Sequence, residues 1–182
     1  GEEYDARKEL GDWNRTGYDD TNWIPAGRVS IPSGTLRAQM MPGMKVTESL
    51  KPVSIRKQGD KHILDIGQNM AGWLRIRIKG QAGDSIRLRF AERLQADGEI
   101  FTKNLRDAHC TDIYVVSGRE PQDTTWAPRF VYHGFRYVEI SGYPNAKTED
   151  FTAEVVDDEM AHTGTFTCSD ETLNQVLQHA FW

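Results

Sequence analysis

Two short segments with strict two-residue alternation constrain this chain most. In Trp73-Leu-Arg-Ile-Arg-Ile-Lys79, Leu74, Ile76 and Ile78 fall on one side and Arg75, Arg77 and Lys79 on the other. Ser85-Ile-Arg-Leu-Arg-Phe90 repeats the pattern, with Ile86, Leu88 and Phe90 against Arg87 and Arg89. Successive side chains of a strand point to opposite faces, whereas a helical face recurs every three or four residues. The spacing therefore predicts strands with one buried and one wet face. That is the signature of an antiparallel sheet with water on one side. Gly80-Gln-Ala-Gly-Asp84 joins the two segments, which read as a strand pair. The alternating arginines also guard a sheet against stacking and edge aggregation.

The rest of the chain follows the same grammar. In Phe135–Ile140 the side chains of Arg136, Val138 and Ile140 oppose Phe135, Tyr137 and Glu139, and Ser-Gly-Tyr-Pro144 stops the run. Further strands are predicted at Lys45–Leu50, Val53–Lys57, His62–Ile66, Thr111–Ser117, Phe130–Tyr132 and Phe151–Val156, with a short extended piece at Thr163–Cys168. Leu36–Met41 also reads as extended, and residues 1–26 as irregular structure or short edge strands. Gln58-Gly-Asp60 predicts a hairpin turn. Leu94–Ala108 reads as a long loop with a turn at Ala96-Asp-Gly98. About nine or ten short strands with no helical spacer predict a mainly β chain, an antiparallel β-sandwich or jelly roll. A single short helix closes the chain. Ser169 is its predicted N-cap, and Leu173, Val176, Leu177, Ala180 and Phe181 make one apolar stripe. That stripe either packs back on the sandwich or meets a following domain.

Composition removes several functions. The chain has 182 residues and 38% hydrophobic content, enough for one large domain or one domain plus fragments. No apolar run is long enough for a membrane span. Net charge is −5 with both signs interleaved, so no nucleic-acid partner is expected; Arg75, Arg77, Lys79, Arg87 and Arg89 occupy wet strand faces. Cys110 and Cys168 follow no metal spacing and read as free thiols, leaving the redox compartment open. His62, His109, His133, His162 and His179 are scattered, and a His109–Cys110 pair on a strand would point both ways, so no zinc is expected. Phosphate-cradling glycine loops and a Gly-x-Ser-x-Gly elbow are absent, so neither a nucleotide cofactor nor that nucleophile is predicted. The run Asp157-Asp-Glu159 reads as a solvated loop, at most a weak calcium site.

Two chemistries remain. A glycosidase needs two carboxylates across a cleft. Asp19, Asp20, Glu92, Asp107, Asp112 and the 157–159 run are the candidates. Glu92 stands out because it closes a strand and precedes the long loop. A salt bridge to Arg93 or Arg106 is the favoured reading, projection towards a neighbouring domain the other. Carbohydrate binding needs aromatic platforms beside planar polar groups. Trp13, Trp73, Trp126 and Tyr132 are available, although a core role is the commoner fate of such rings.

Motifs along most of the chain carry a resemblance. Tyr4-Asp-Ala-Arg7 and Gly17-Tyr-Asp-Asp-Thr-Asn-Trp-Ile-Pro-Ala26 resemble the tail of the amino-terminal β-domain of bacterial α-L-rhamnosidases. Lys51-Pro-Val-Ser54, Asp65-Ile-Gly-Gln-Asn-Met-Ala-Gly-Trp73, Arg89-Phe-Ala-Glu92, Asn104-Leu-Arg106, Thr111-Asp-Ile-Tyr114 and Pro128–Glu139 are similar to the concanavalin-like β-sandwich that follows. Cys168-Ser-Asp-Glu-Thr-Leu-Asn174 resembles the entry into the family's catalytic (α/α)6 barrel.

The resemblance implies a division into residues 1–43 as domain tail and linker, 44–160 as the concanavalin-like sandwich, and 161–182 as connector and first barrel helix. It implies removal of terminal α-L-rhamnose by the parent protein, with inversion and with both catalytic carboxylates in the barrel. No catalytic residue, metal or cofactor is then expected in this chain, whose partners are its own barrel and, through the parent, a rhamnose-containing glycan. Because the chain opens Gly-Glu-Glu-Tyr-Asp with no initiator Met, it reads as an excised or processed piece. A secreted or periplasmic setting follows only from the substrate class. The alternative function is a carbohydrate-binding module using Trp73, Glu92, Trp126 and Tyr132, and a third is a structural domain unrelated to sugar.

Overall fold

The computed structural model describes residues 1–161 and 163–182. His162, one of the histidines in the no-zinc expectation, lies outside the described residues. The strands are β1 (Glu3–Asp5), β2 (Met44–Leu50), β3 (Ser54–Gln58), β4 (Lys61–Arg77), β5 (Ser85–Ala91), β6 (Thr111–Val115), β7 (Thr125–Trp126), β8 (His133–Ser141) and β9 (Phe151–Asp158), followed by helix α1 (Glu171–Phe181). Among the described residues they form one sheet in the order β1-β6-β5-β8-β4-β9-β2, with β3 and β7 also on β4.

The sheet curls because of β4. Two predicted strands, His62–Ile66 and Trp73–Lys79, merge into one of 17 residues. Its first half pairs with β3 and with Tyr137–Ile140 of β8. A register irregularity between Asp65 and Met70 then re-aims the strand, a common use of a bulge. Its second half, Gly72–Ile76, pairs with β9, and Ile76 and Arg77 also pair with β7. Gly72 is the crossing point, opposite His133 on one side and Val155 on the other. A β-carbon there would fall 1.9 Å from the Glu154 carbonyl oxygen.

One core fills the space inside the curl. Leu64, Leu88, Val138 and Ile140 from one arm meet Leu74, Ile76, Phe151 and Ala153 from the other. Each large aliphatic or aromatic side chain so buried contributes about 1.5–3 kcal/mol. The alternation of β5 is as the sequence predicts, Ile86, Leu88 and Phe90 inward and Arg87 outward. In β8 it is not. Phe135 shares the core with Val138 and Ile140, because the strand turns its inner face as the sheet curls. A smaller cluster, Ile63, Ala91 and Ile100, forms where the loop after β5 folds over the outer face. In that loop Leu94 bridges Ile100, and Lys103–Leu105 makes a 3-10 turn.

Several local expectations change. β4 and β5 are not partners: β8 runs between them and pairs with both, since the inner faces of β4 and β5 belong to the same curl. The sheet is mixed, for β1 pairs in parallel with β6. The hairpin at residues 58–60 is present between β3 and β4. Phe130–Tyr132 is not a strand, and Phe130 is 92% exposed, while the neighbouring Trp126 is the one drawn into strand pairing. Thr163–Cys168 and Leu36–Met41 have no strand partner either. The N-cap of α1 is Asp170 rather than Ser169, accepting from the Thr172 and Leu173 amides. Leu173 and Val176 of its stripe remain more than half exposed. Residues 9–43 form no helix or strand, and Ile24, Val29, Ile31, Leu36 and Met40 lie on the surface.

An ion pair fastens the β4 irregularity to β8. Arg136 donates Nε and Nη2 to the two Asp65 oxygens at 2.9 and 3.1 Å. Burial pushes the Asp65 carboxyl up, but the guanidinium and the Gly67 amide outweigh it and hold the group below its ordinary 3.8. A depressed carboxylate stabilises the fold above its unfolded pKa and loses that contribution as pH falls through the folded value. The Asp65→Asn variant should therefore lose less stability than the parent chain between about pH 4 and pH 2. Urea midpoints across that range check it.

Candidate functional site

The four candidate site residues do not converge. Trp126 is 9% exposed and sits in the core. Its ring centroid lies 5.4 Å from that of Tyr114 and 6.2 Å from that of Tyr4. Burial and the neighbouring Glu120, which accepts from the Tyr114 hydroxyl at 3.1 Å, push that phenol well above the usual tyrosine range. Such an environment leaves no ring face for sugar, so the platform reading of Trp126 gives way to the core reading.

Trp73 lies on the outer side of β4, half-buried. Its indole N–H donates to Glu154 Oε2 at 2.6 Å. Glu154, itself 8% exposed, also accepts from Arg75 Nε at 2.7 Å and Nη2 at 2.9 Å. The strand period that puts Leu74 inside puts Trp73 and Arg75 together outside, across from Glu154 of β9. Tyr132 is 56% exposed and has no side-chain hydrogen bond or ring contact among the described residues.

Glu92 makes no ion pair with Arg93 or Arg106. Its Oε1 accepts from Asn69 Nδ2 at 3.1 Å and its Oε2 from Asn104 Nδ2 at 3.4 Å. The irregular stretch of β4 brings Asn69 to the end of β5, and the 3-10 turn presents Asn104. The Trp182 indole donates to the Asn69 carbonyl at 2.7 Å, so the last residue of the chain meets the same cluster. Sequence reasoning missed this set. Its members are separated by 12, 23 and 113 positions, and no local signal joins them.

Two of the remaining carboxylate candidates are held in internal pairs. Asp112 is fully buried, with His133 Nε2 at 3.0 and 3.1 Å from its two oxygens and the Glu2 amide at 2.9 Å. His133 stacks on Phe90, ring centroids 4.2 Å apart. Glu159 of the acidic run pairs with Lys45. Among the described residues no group of three or more His, Cys, Asp or Glu side chains is placed to hold a metal ion. Cys110 and Cys168 are both free. No described helix is long and apolar enough to cross a membrane.

Comparison with known proteins accounts for the architecture. Residues 55–157 match the bacterial alpha-L-rhamnosidase concanavalin-like domain, and residues 1–48 the alpha-L-rhamnosidase N-terminal domain. An alpha-L-rhamnosidase of Streptomyces avermitilis is 39% identical over 100% of this chain and 18% of its own length. One from Formosa agariphila is 34% identical over 100% of this chain and 20% of its own length. The structure of the Dictyoglumus thermophilum alpha-L-rhamnosidase superposes with a TM-score of 0.94 at 36% identity, over 100% of this chain and 21% of that one. The Streptomyces avermitilis enzyme complexed with L-rhamnose gives a TM-score of 0.91 at 36% identity, covering 100% and 18% of the two chains. The present chain thus spans about a fifth of the length of these relatives. A matched sequence across its strands and a matched curl of its sheet place it in the bacterial α-L-rhamnosidase family, as that family's concanavalin-like domain with its N-terminal neighbour.

Proposed function

We propose that this chain is a non-catalytic accessory part of an α-L-rhamnosidase that removes terminal α-L-rhamnose from glycosides, and that it braces the catalytic domain. One observation carries the reading: the entire chain finds its counterpart within larger rhamnosidases while most of each relative has no counterpart here. The exposed stripe of α1 and the apolar surface of residues 9–43 support it. In this reading residues 1–43 are tail and linker, 44–160 the sandwich, and 161–182 the connector into an (α/α)6 barrel that supplies the acid and the base.

Incubated with a chromogenic α-L-rhamnoside, the isolated chain is expected to release no chromophore above background. Turnover that tracks the purified chain would refute the proposal. A version extended through the barrel should both hydrolyse the substrate and unfold at higher temperature, because the apolar stripe is then covered. The alternative, a rhamnose-binding module, draws on half-buried Trp73 and exposed Tyr132. It requires millimolar L-rhamnose to alter tryptophan emission, and an unchanged spectrum removes it.

A further inference from the structure

An open hollow of about 500 Å3 lies between β5 and the loop that leads from it to β6. Its floor is the outer face of β5, where Arg87 and Arg89 stand two positions apart on the same side. Its rim is the loop segment Thr102–Thr111, including Arg106, Asp107 and His109. Three guanidinium groups and an imidazole therefore surround one carboxylate. Arg89 donates Nη1 to buried Glu139 at 2.9 Å, and Lys61 approaches the other Glu139 oxygen at 3.1 Å. Glu139 is thus shared by two cations and holds Arg89 in place without cancelling the charge of the hollow. The side chains of Arg87 and Arg106 make no hydrogen bond or ion pair with any described residue.

The backbone points to the same place. Arg106 has φ 54° and ψ −118°, a region that a β-carbon disfavours and glycine enters freely. No hydrogen bond or ion pair of its side chain accounts for an arginine in that conformation. Strain without an internal partner is what a residue aimed at a ligand shows. The lining has no Phe, Tyr or Trp ring, so it lacks the large stacking platforms of a nucleic-acid site. It has guanidinium forks, which match the geometry of a carboxylate, and the Thr102 and Thr111 hydroxyls, which suit sugar hydroxyls.

We propose that this hollow is a subsite for the carboxylate of an acidic saccharide, a uronate, clamped by Arg87 and Arg106 with Arg89 set in position by Glu139. The saccharide half rests on the glycosidase reading above, while the anion half stands on the charge and geometry of the hollow. Isothermal titration of the chain with trigalacturonate tests it, with galactotriose as the neutral control and sodium sulfate as the bare anion. Trigalacturonate should bind, and binding should weaken as salt shortens the screening length from about 30 Å to about 10 Å. Arg87→Gln and Arg106→Gln should each weaken it at least roughly tenfold.

Arg106→Gly separates a ligand role from a structural one. It should weaken binding to the same degree while raising the melting temperature, because relief of the strain at φ 54° outweighs the chain entropy that glycine adds to the unfolded state. A fall in melting temperature would mark Arg106 as a structural residue and overturn the proposal. So would galactotriose binding as tightly as trigalacturonate, unaltered affinity in both glutamine variants, or no heat at millimolar ligand. Sulfate matching trigalacturonate would reduce the site to a simple anion trap and remove the saccharide. None of these results bears on the rhamnoside assay, so the two readings fail separately.

Discussion

Replacing Gly72 with alanine should destabilise the chain by about 3 kcal/mol or more, a large share of the total stability of a marginal domain. The added methyl would sit 1.9 Å from the Glu154 carbonyl oxygen and 3.0 Å from its carbon. Backbone cannot yield as a flexible side chain does, so β9 must move or β4 must lose its bend. Either response breaks the ladder between Gly72–Ile76 and Phe151–Val155 that makes the second arm of the curl. The neighbouring glycine on β8 is the control. A β-carbon at Gly134 meets nothing nearer than Glu92 Oε1 at 3.9 Å, and Gly134→Ala should be close to neutral. Urea denaturation of the two variants measures the contrast. Equal midpoints would show that the crossing at Gly72 does not need its missing side chain.

The second large effect is expected at Asp112. Truncation to alanine strands the His133 imidazole, 6% exposed against Phe90, and the Glu2 amide without an acceptor. An orphaned buried polar group costs about 1–3 kcal/mol, and removal of one member of a buried pair about 3–5, so a loss of about 3 kcal/mol is expected. Replacing both members, Asp112→Leu with His133→Phe, should recover much of it, since an apolar pair leaves nothing to solvate. Failure of the double variant to recover stability in urea would mean that shape, not hydrogen bonding, sets the cost. Because the Glu2 amide is one of the donors, Asp112 also ties the amino-terminal segment beside β1 to the sheet.

These effects fall where the sequence was least legible. Period-two patterning located the core positions of β5 because each inward residue is apolar and each outward one charged. The same rule failed at Phe135, where the strand rotates with the curl, and between β4 and β5, where adjacency in sequence suggested a pairing that β8 occupies instead. Strand existence is a local property, but partner choice depends on loop closure and shared burial over long separations. The polar groups show the same division. Glu92 was noticed for its place at a strand end, yet its amide partners Asn69 and Asn104 come from other elements. Arg106 looked like a salt-bridge donor. Its positive φ cannot be read from composition, since arginine carries no preference for that conformation. Trp126 illustrates the opposite case, an aromatic whose commoner fate, the core, was its actual one.

That last placement has a practical corollary. The chain's five indoles experience different surroundings: Trp13, Trp23 and Trp182 are about half exposed, Trp73 is hydrogen-bonded at the surface, and Trp126 lies in apolar contact with Tyr4 of β1 and Tyr114 of β6. The blue edge of the emission band consequently belongs to Trp126. Light collected there is an optical gauge of whether the first strand is docked, obtained without attaching a dye.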